Sequence, residues 1–374
     1  MPATRVPFVM EQTLGHITHY QNLRAAASRQ SRVEPIWMPV PFDTTRVGRL
    51  LPAYGGNWSV RASFRARRQL ARQLESGPVE ALFFHTQVTA LFSEAVMRRH
   101  PTVISLDATP ANFDTVGAAY GHHAATGGWL DQRKFELNRR VFHAARALVT
   151  WSEWAKRSLV SDYGVSSERI SVIPPGAASA YFSIGEQRQT SRSADAPVRL
   201  LFVGGDFTRK GGHLLLASAR AVRTHRAFEI HVVTRERVAP APGVHVHNDL
   251  GPNSPGLIDL FREADVFVLP TDGDCLGIVV MEASAAGLPI ITTNVGAMRE
   301  AAIPARNAIV MKPGDGIALR RAIESLVDGD SLRTALSRGG RELALARFDA
   351  DRNAMRIFDV IQAVANPAAK RSVA

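Results

Sequence analysis

Two carboxylates stand eight positions apart in the run DVFVLPTDGDCLGIVVMEASAAGLPI, residues 265–290. Asp274 lies in a short acidic loop after an apolar strand and Pro270, and Glu282 lies in a helix that opens near Gly277. The free N–H groups and dipole of such a helix start attract phosphate. Carboxylates beside it accept hydrogen bonds from hydroxyl groups. A site that holds phosphate and hydroxyls together suits a nucleotide sugar. A second segment, LLFVGGDFTRKGGHLLL, carries complementary chemistry: Gly204 and Gly205 follow a strand, Arg209 and Lys210 bring charge, and Gly211 and Gly212 lead into another helix. Glycines let the backbone turn sharply and approach a ligand. Fixed cations beside a helix start stabilise a diphosphate, above all one that departs with growing charge. The segment is neither a G-x-G-x-x-G fingerprint nor a P-loop. Taken alone it also reads as a basic surface turn; the acidic pair expected on the same sheet favours phosphate.

The elements that must position these residues alternate strand and helix. In the C-terminal half, strands are expected at 199–203, 228–233, 244–247, 266–269, 289–292 and 308–311, with helices at 212–225, 255–263, 277–286, 317–326 and 331–346. Weaker strand signals precede them at 6–10, 35–38, 79–84, 102–106, 147–151 and 170–173. This alternation predicts an α/β protein built from parallel sheets covered on both faces. The polar run SIGEQRQTSRSADAP ends in proline and reads as a linker. The expected division is an N-terminal domain over 1–182, a linker over 183–198, a second domain over 199–346, and a C-terminal helix and tail over 347–374 that could return to the first domain. Two doubly wound domains leave a cleft, and ligands of such sheets bind outside the carboxyl ends of the strands.

At 374 residues the chain exceeds the usual single-core size. Hydrophobic residues make up 45% and charged residues 21%, an ordinary globular balance. A single cysteine, Cys275, excludes an internal disulfide and fits a reducing compartment. Residues 1–30 carry no signal-peptide pattern, and no apolar run reaches the roughly 20 residues of a membrane span. The expectation is a cytoplasmic protein. The net charge of +11 is uneven. Residues 1–180 hold 21 Lys+Arg and 13 Asp+Glu, an excess of +8, which favours an anionic partner for that half. The helix RASFRARRQLARQLES is expected to place Phe64, Ala71 and Leu74 on one side and Arg65, Arg68 and Arg72 opposite. Its Arg61–Arg72 face could meet the inner surface of an anionic membrane or simply be solvated. Nucleic acid is not expected, because the arginines lack interleaved aromatics.

The chain resembles the retaining glycosyltransferases of family 4, which have the GT-B fold of two Rossmann-like domains facing across a cleft. The resemblance rests on D-C-L-G-I-V-V-M-E, where the family carries E-x7-E, on Lys210-Gly211 after the Gly-rich turn, and on YGV…ISVIPPG, residues 163–176. It implies that Glu282 binds the nucleotide ribose and that Asp274 meets donor-sugar hydroxyls. Backbone N–H groups at Leu276 and Gly277 would touch sugar and phosphate, and Lys210 would hold the diphosphate. Asp274 replaces the family's first Glu, which shortens its reach by one methylene. Gly205 stands where the family has Arg, so Arg209 is the expected substitute. In the first half, Gly15 and His16 fall at the family's Gly-containing loop, and Asp107 stands where many relatives place a His near the donor sugar. His16 also reads as a structural turn residue, and Asp107 as a cap for the turn after it. His85 is a weaker acceptor-side candidate. Relatives place the nucleobase near loops such as those of Thr234, Arg235 and Asn253, although Asn253 and Ser254 could also cap a helix.

No metal is expected. No two histidines pair with an acid at helical i, i+4 spacing, one cysteine builds no thiolate site, and Lys210 neutralises charge without an ion. The implied function is transfer of a hexose from a UDP- or GDP-sugar to a glycan, lipid or small-molecule acceptor, with no further cofactor. A nucleotide-sugar epimerase and a non-catalytic nucleotide-sugar-binding subunit remain the alternatives.

Overall fold

A computed structural model of the chain describes residues 3–41, 58–122, 127–188 and 196–366. The described strands sort into two six-stranded sheets in which every pairing is parallel. The first holds β1 (Thr4–Glu11), β2 (Val33–Val40), β3 (Leu82–His85), β4 (Thr102–Leu106), β5 (Ala147–Thr150) and β6 (Ile170–Val172), in the order β2-β1-β3-β4-β5-β6. The second holds β7 (Val198–Val203), β8 (Phe228–Val233), β9 (Val244–His247), β10 (Val266–Leu269), β11 (Ile290–Thr293) and β12 (Ala308–Met311), in the order β12-β11-β10-β7-β8-β9. Each sheet is doubly wound, as expected.

The chain divides into two units. One comprises Met1–Phe113, Ala125–Pro175 and Asp351–Ala374; the other comprises Asp114–Ala124 and Gly176–Ala350. In the first unit the strand period of two splits side chains between two cores. Val9, Leu82, Phe84, Ile104 and Leu148 pack against Ala62, Ala66 and Leu70 of helix Trp58–Ser76 and against Val141 and Phe142 of helix Trp129–Ala144. Val6, Phe8, Met10, Phe83 and Val103 face the other way, against Leu23 and Ala26 of helix Leu14–Ala27 and against Ile357, Phe358 and Ile361 of helix Ala350–Ala365. The last helix therefore completes a core begun by the first strand, and ion pairs Arg29–Asp351 and Arg32–Asp359 flank it.

Several boundaries differ from the sequence expectation. The division falls at Pro175/Gly176 rather than after residue 182, and Asp114–Ala124 joins the second unit. Residues 183–187 of the expected linker are helical, within Ser179–Gln187. Buried Ile184 anchors that helix, and Gly185 lies so close to the Ala285 carbonyl that a Cβ would approach it to 2.3 Å. Residues 189–195 lie outside the described residues, as do 367–374 of the expected tail. The helix expected over 212–225 stops at Ala219. The amides of His225 and Arg226 instead donate to the Asp328 carboxylate, which holds that stretch as a loop.

The basic helix keeps its type but not its faces. Its buried stripe is Ala62, Ser63, Ala66 and Leu70, at helical spacing. Phe64 and Ala71, expected on the apolar side, are exposed, and Leu74 alone of the three packs on the core. Phe64 covers Phe92 instead, with ring centroids 4.6 Å apart. No described helix is long and apolar enough to cross a membrane.

Strand order fixes where ligands can bind. In an open α/β sheet the crevice opens at the carboxyl ends of strands whose connections run in opposite directions. In the second sheet those strands are β7 and β10, and in the first they are β1 and β3.

Candidate functional site

In the second unit, the turn after β7 and the loop after β10 meet at this switch point. Gly204 leaves space for the Lys210 stem: a Cβ there would lie 2.9 Å from Lys210 Cβ. Gly211, at φ +79°, passes so close to the Pro270 carbonyl that a Cβ would come within 2.0 Å of its oxygen. The contact locks the two loops together, and Lys210 Nζ donates to Asp274 Oδ2. Both side chains are nearly buried, at 14% and 11% exposure. Two of the three ammonium hydrogens remain for a further anion.

Arg209 also ties the loops. Its Nε donates to Asp206 Oδ2 at 3.0 Å, and a terminal nitrogen donates to the Gly273 carbonyl at 2.8 Å. The guanidinium lies over the Tyr120 ring, 4.2 Å from its centroid. The Arg209 carbonyl accepts from Asp272 N at 2.9 Å. Arg209 thus acts inside the fold as a clamp on the loop that carries Asp274. A different arginine stands beside Gly205. The Arg235 guanidinium rests where a side chain at 205 would begin, with Nε 2.9 Å from the position of a Cβ.

Leu276 and Gly277 are buried at the entry to helix Ile278–Ala285. Gly277 is its N-cap, and no side chain caps the first-turn N–H groups. Helix Gly212–Ala219 likewise starts at Gly211 with no side-chain cap. Neither N-cap glycine offers a side-chain acceptor, so two helix starts meet at one switch point without a side-chain cap of their own. Glu282 is 5% exposed, and burial pushes its carboxyl up to about 8. Burial and the Glu282 charge together raise the phenol of Tyr181. Thr234 is buried at the end of β8, where its amide donates to the His247 carbonyl and its own carbonyl accepts from Asn248 Nδ2. Asn253 takes a left-handed conformation, φ 56°, and Ser254 rather than Asn253 caps helix Pro255–Glu263.

In the first unit, β1, β3, β4 and β5 end in a polar cluster. Gly15 does not lie in a loop, as expected, but in the first turn of helix Leu14–Ala27. Thr13, the N-cap, does not cap that helix with its side chain; its hydroxyl donates to Glu11 Oε1 at 2.6 Å. Thr86 donates to the other Glu11 oxygen. His16 stands between two carboxylates, with Nδ1 3.4 Å from Glu11 and Nε2 3.4 Å from Asp107. His19, His85 and Trp151 surround it, with ring centroids 4.8–5.4 Å apart. The sequence singles out His16, Asp107 and His85 among these residues. Glu11, His19 and Trp151 join them only in the fold. A carboxylate ending the otherwise apolar β1 is the signal that could have found Glu11. Tyr120 had no such signal, because its partner Arg209 is remote in the chain.

The titration of this cluster has opposing limbs. Burial acts to lower the His16 imidazolium, but Glu11 and Asp107 overcome it and raise the value from 6.5 to about 9. Its contribution to stability is present below the unfolded value and is lost as pH rises through 9. Burial, reinforced by the His16 charge, lowers His19 to about 3 and holds His85 well below its ordinary value. Here the unfolded chain binds protons that the folded unit refuses, so stability falls as pH drops from 6.5 toward 3. Urea unfolding of the first unit, followed by tryptophan fluorescence, should show a maximum near pH 6.5. His16→Gln should flatten the alkaline limb and His19→Gln the acid limb. A pH-independent wild-type profile would contradict both.

Two parallel-sheet units, each with polar side chains gathered at its switch point, define the Rossmann-like GT-B class. Solved structures agree with that fold. Sucrose-phosphate synthase from Thermosynechococcus elongatus superposes with a TM-score of 0.72 at 15% identity, covering 98% of this chain and 100% of that one. Anabaena HepE, solved in complex with UDP-glucose, gives a TM-score of 0.65 at 14% identity over 96% and 99%. Residues 24–179 match the model for Glycosyltransferase Family 4, and residues 197–329 match that for glycosyl transferases group 1. The chain belongs to the family 4 GT-B glycosyltransferases. A D-inositol 3-phosphate glycosyltransferase from Pseudarthrobacter chlorophenolicus is 29% identical over 224 residues, 55% of this chain and 53% of that one. The chain spans little more than half the length of the curated relatives it matches.

Proposed function

We propose that the protein transfers a hexose from a nucleoside-diphosphate sugar, UDP- or GDP-linked, to a hydroxyl of a glycan, lipid or small-molecule acceptor, with retention at the anomeric carbon. The observation that carries this reading is the Lys210–Asp274 pair set beside two uncapped helix starts, with Glu282 in the second helix. Lys210 and the helix starts receive the diphosphate. Arg235, lying against Gly205, supplies the charge that the family pattern places at 205, while Arg209 holds the loop. Asp274 meets donor hydroxyls and keeps the Lys210 ammonium in place. Glu282 accepts hydrogen bonds from the ribose diol. Gly204, Gly205, Leu276 and Gly277 let backbone approach sugar and phosphate, and Thr234 and Asn253 flank the base.

In the transfer step, the bond from the anomeric carbon to the diphosphate oxygen breaks and its electron pair leaves with the diphosphate. The acceptor oxygen bonds to the same face of that carbon, and its proton passes to the departing diphosphate. Catalysis is then positioning plus stabilisation of the leaving group's charge, and no ion at the diphosphate is required. His16 and Asp107, at the strand ends of the first unit, are the further candidates for contact with sugar hydroxyls. A lipid acceptor would make the exposed Arg67, Arg68 and Arg72 a contact for anionic headgroups.

Thermal shift against UDP-, GDP- and ADP-sugars identifies the donor, since a ligand that binds the folded state raises apparent stability. With that donor, acceptor-dependent release of free nucleoside diphosphate is expected, unaffected by EDTA, with a product of unchanged anomeric configuration. An epimerised nucleotide sugar without release would establish the epimerase reading. Binding without turnover on any acceptor class would leave a nucleotide-sugar-binding subunit.

A further inference from the structure

On the edge of the second sheet, away from the strand ends just described, β8 and β9 present a group of imidazoles around one carboxylate. Strand alternation puts Glu229 and His231 on one face of β8, and His245 and His247 on the same face of β9. The parallel register sets His231 directly opposite His245. One donor atom from each of Glu229, His231 and His245 lies within 4.8 Å of the others. His231 Nε2 is 3.2 Å from Glu229 Oε1, and His245 Nε2 is 3.6 Å from Glu229 Oε2. Tetrahedral zinc, with bonds of about 2.0–2.2 Å to nitrogen and oxygen, sets its ligand atoms roughly 3.3–3.6 Å apart. His231 Nε2 faces one Glu229 oxygen and His245 Nε2 the other, so the donor atoms of all three residues converge on one point, and small side-chain rotations bring them to those separations.

The surroundings suit a cation. His231 Nδ1 lies 3.3 Å from His247 Nε2. When Nδ1 carries the proton and donates it to His247, the Nε2 lone pair is free for a metal, the usual outer support of a ligating histidine. Arg199 holds Glu229 at Oε1, and Glu263 pairs with the same guanidinium at 2.7 Å. Two carboxylates against one guanidinium leave the site one negative charge. β9 is the edge strand, and the His245 side chain is 53% exposed, so an ion can enter and complete its shell with water.

We infer that Glu229, His231 and His245 form a binding site for a divalent transition-metal ion of the zinc class, with His247 orienting His231. Spacing rules for helices miss it, because the ligands alternate on two neighbouring strands. The bound ion would clasp β8 to β9 just before their ends, where Thr234 bonds to His247.

The test titrates the untagged full chain with Zn2+ and Co2+ alone, reading stoichiometry by calorimetry and coordination by the visible bands of cobalt. One ion per chain at micromolar affinity is expected, with the low-symmetry cobalt spectrum of nitrogen and oxygen ligands. His231→Gln and His245→Gln should each abolish that binding, and His247→Gln should weaken it about tenfold. Zn2+ should raise the melting temperature of the wild type but not of the His231→Gln chain. Nucleotide-sugar binding by the metal-free variants, read by thermal shift, reports that the unit is folded. Absence of binding by the wild type at micromolar Zn2+, or wild-type affinity in a folded His231→Gln/His245→Gln chain, overturns the assignment.

Discussion

Replacing Lys210 with alanine should lower the rate of sugar transfer by about 10²–10³-fold, the usual loss when one preorganised charge donor is removed from a developing anion. Lys210 is held at the switch point by Asp274 and lies next to the starts of helices Gly212–Ala219 and Ile278–Ala285. In the proposed transfer, charge accumulates on the diphosphate only as its bond to sugar breaks, so the deficit should fall mainly on kcat. The substitution also strands the nearly buried Asp274 carboxylate. Breaking a buried pair on one side costs about 3–5 kcal/mol. The informative comparison therefore adds Lys210→Met with Asp274→Asn, which removes both charges and restores stability without restoring transfer. Steady-state kinetics and thermal melts on the three chains decide it. Wild-type turnover in either variant would remove Lys210 from the mechanism.

Glu282→Gln should separate stability from function in the opposite sense. Burial holds the Glu282 carboxyl near 8, against 4.5 when free. Between those values the folded chain keeps a proton that the unfolded chain has released, so stability falls as pH rises from 4.5 to 8 and is level above. Glutamine carries no such charge. The variant should melt higher than the wild type at pH 8, by the equivalent of a few kcal/mol, and close to it at pH 5. Its donor affinity should drop about tenfold or more, since hydrogen bonds to a charged acceptor contribute about 1.5–3 kcal/mol. In the wild type, donor binding should strengthen as pH approaches 8 and should release a proton at pH 7. Calorimetry in buffers of different ionisation enthalpy measures that proton. A variant that binds donor as well as the wild type would show that Glu282 is a buried structural acid.

The two motifs at the heart of the proposed donor site were legible because each is a continuous strand–loop–helix unit. Val198–Val203 followed by Lys210, and Val266–Leu269 followed by Asp274 and Glu282, encode their own geometry through apolar runs, glycines and a helix start. Arg209 shows the limit of that reading. Its charge marked it as a diphosphate ligand, but its side chain turns to Asp206, Gly273 and Tyr120. Arg235 then lies beside Gly205. Which of two nearby arginines points at a ligand depends on packing that neither segment contains. The helix Trp58–Ser76 failed in the same way: its composition announced amphipathicity, but the stripe of Ala62, Ser63, Ala66 and Leu70, not the bulkier Phe64, fits under the sheet.

The sequence by itself determined the alternation of strands and helices, the division into two parallel sheets and the pair of loops that bear Lys210 and Asp274, because these follow from short-range periodicity and turn chemistry. Tertiary structure alone decided what meets across strands. It brought Glu11, His16, His85 and Asp107 together at the strand ends of one sheet, Tyr120 under Arg209, helix Ala350–Ala365 into the first unit's core, and His231 opposite His245. Those meetings depend on strand order, which is settled by burying every apolar face at once. No local segment carries that information.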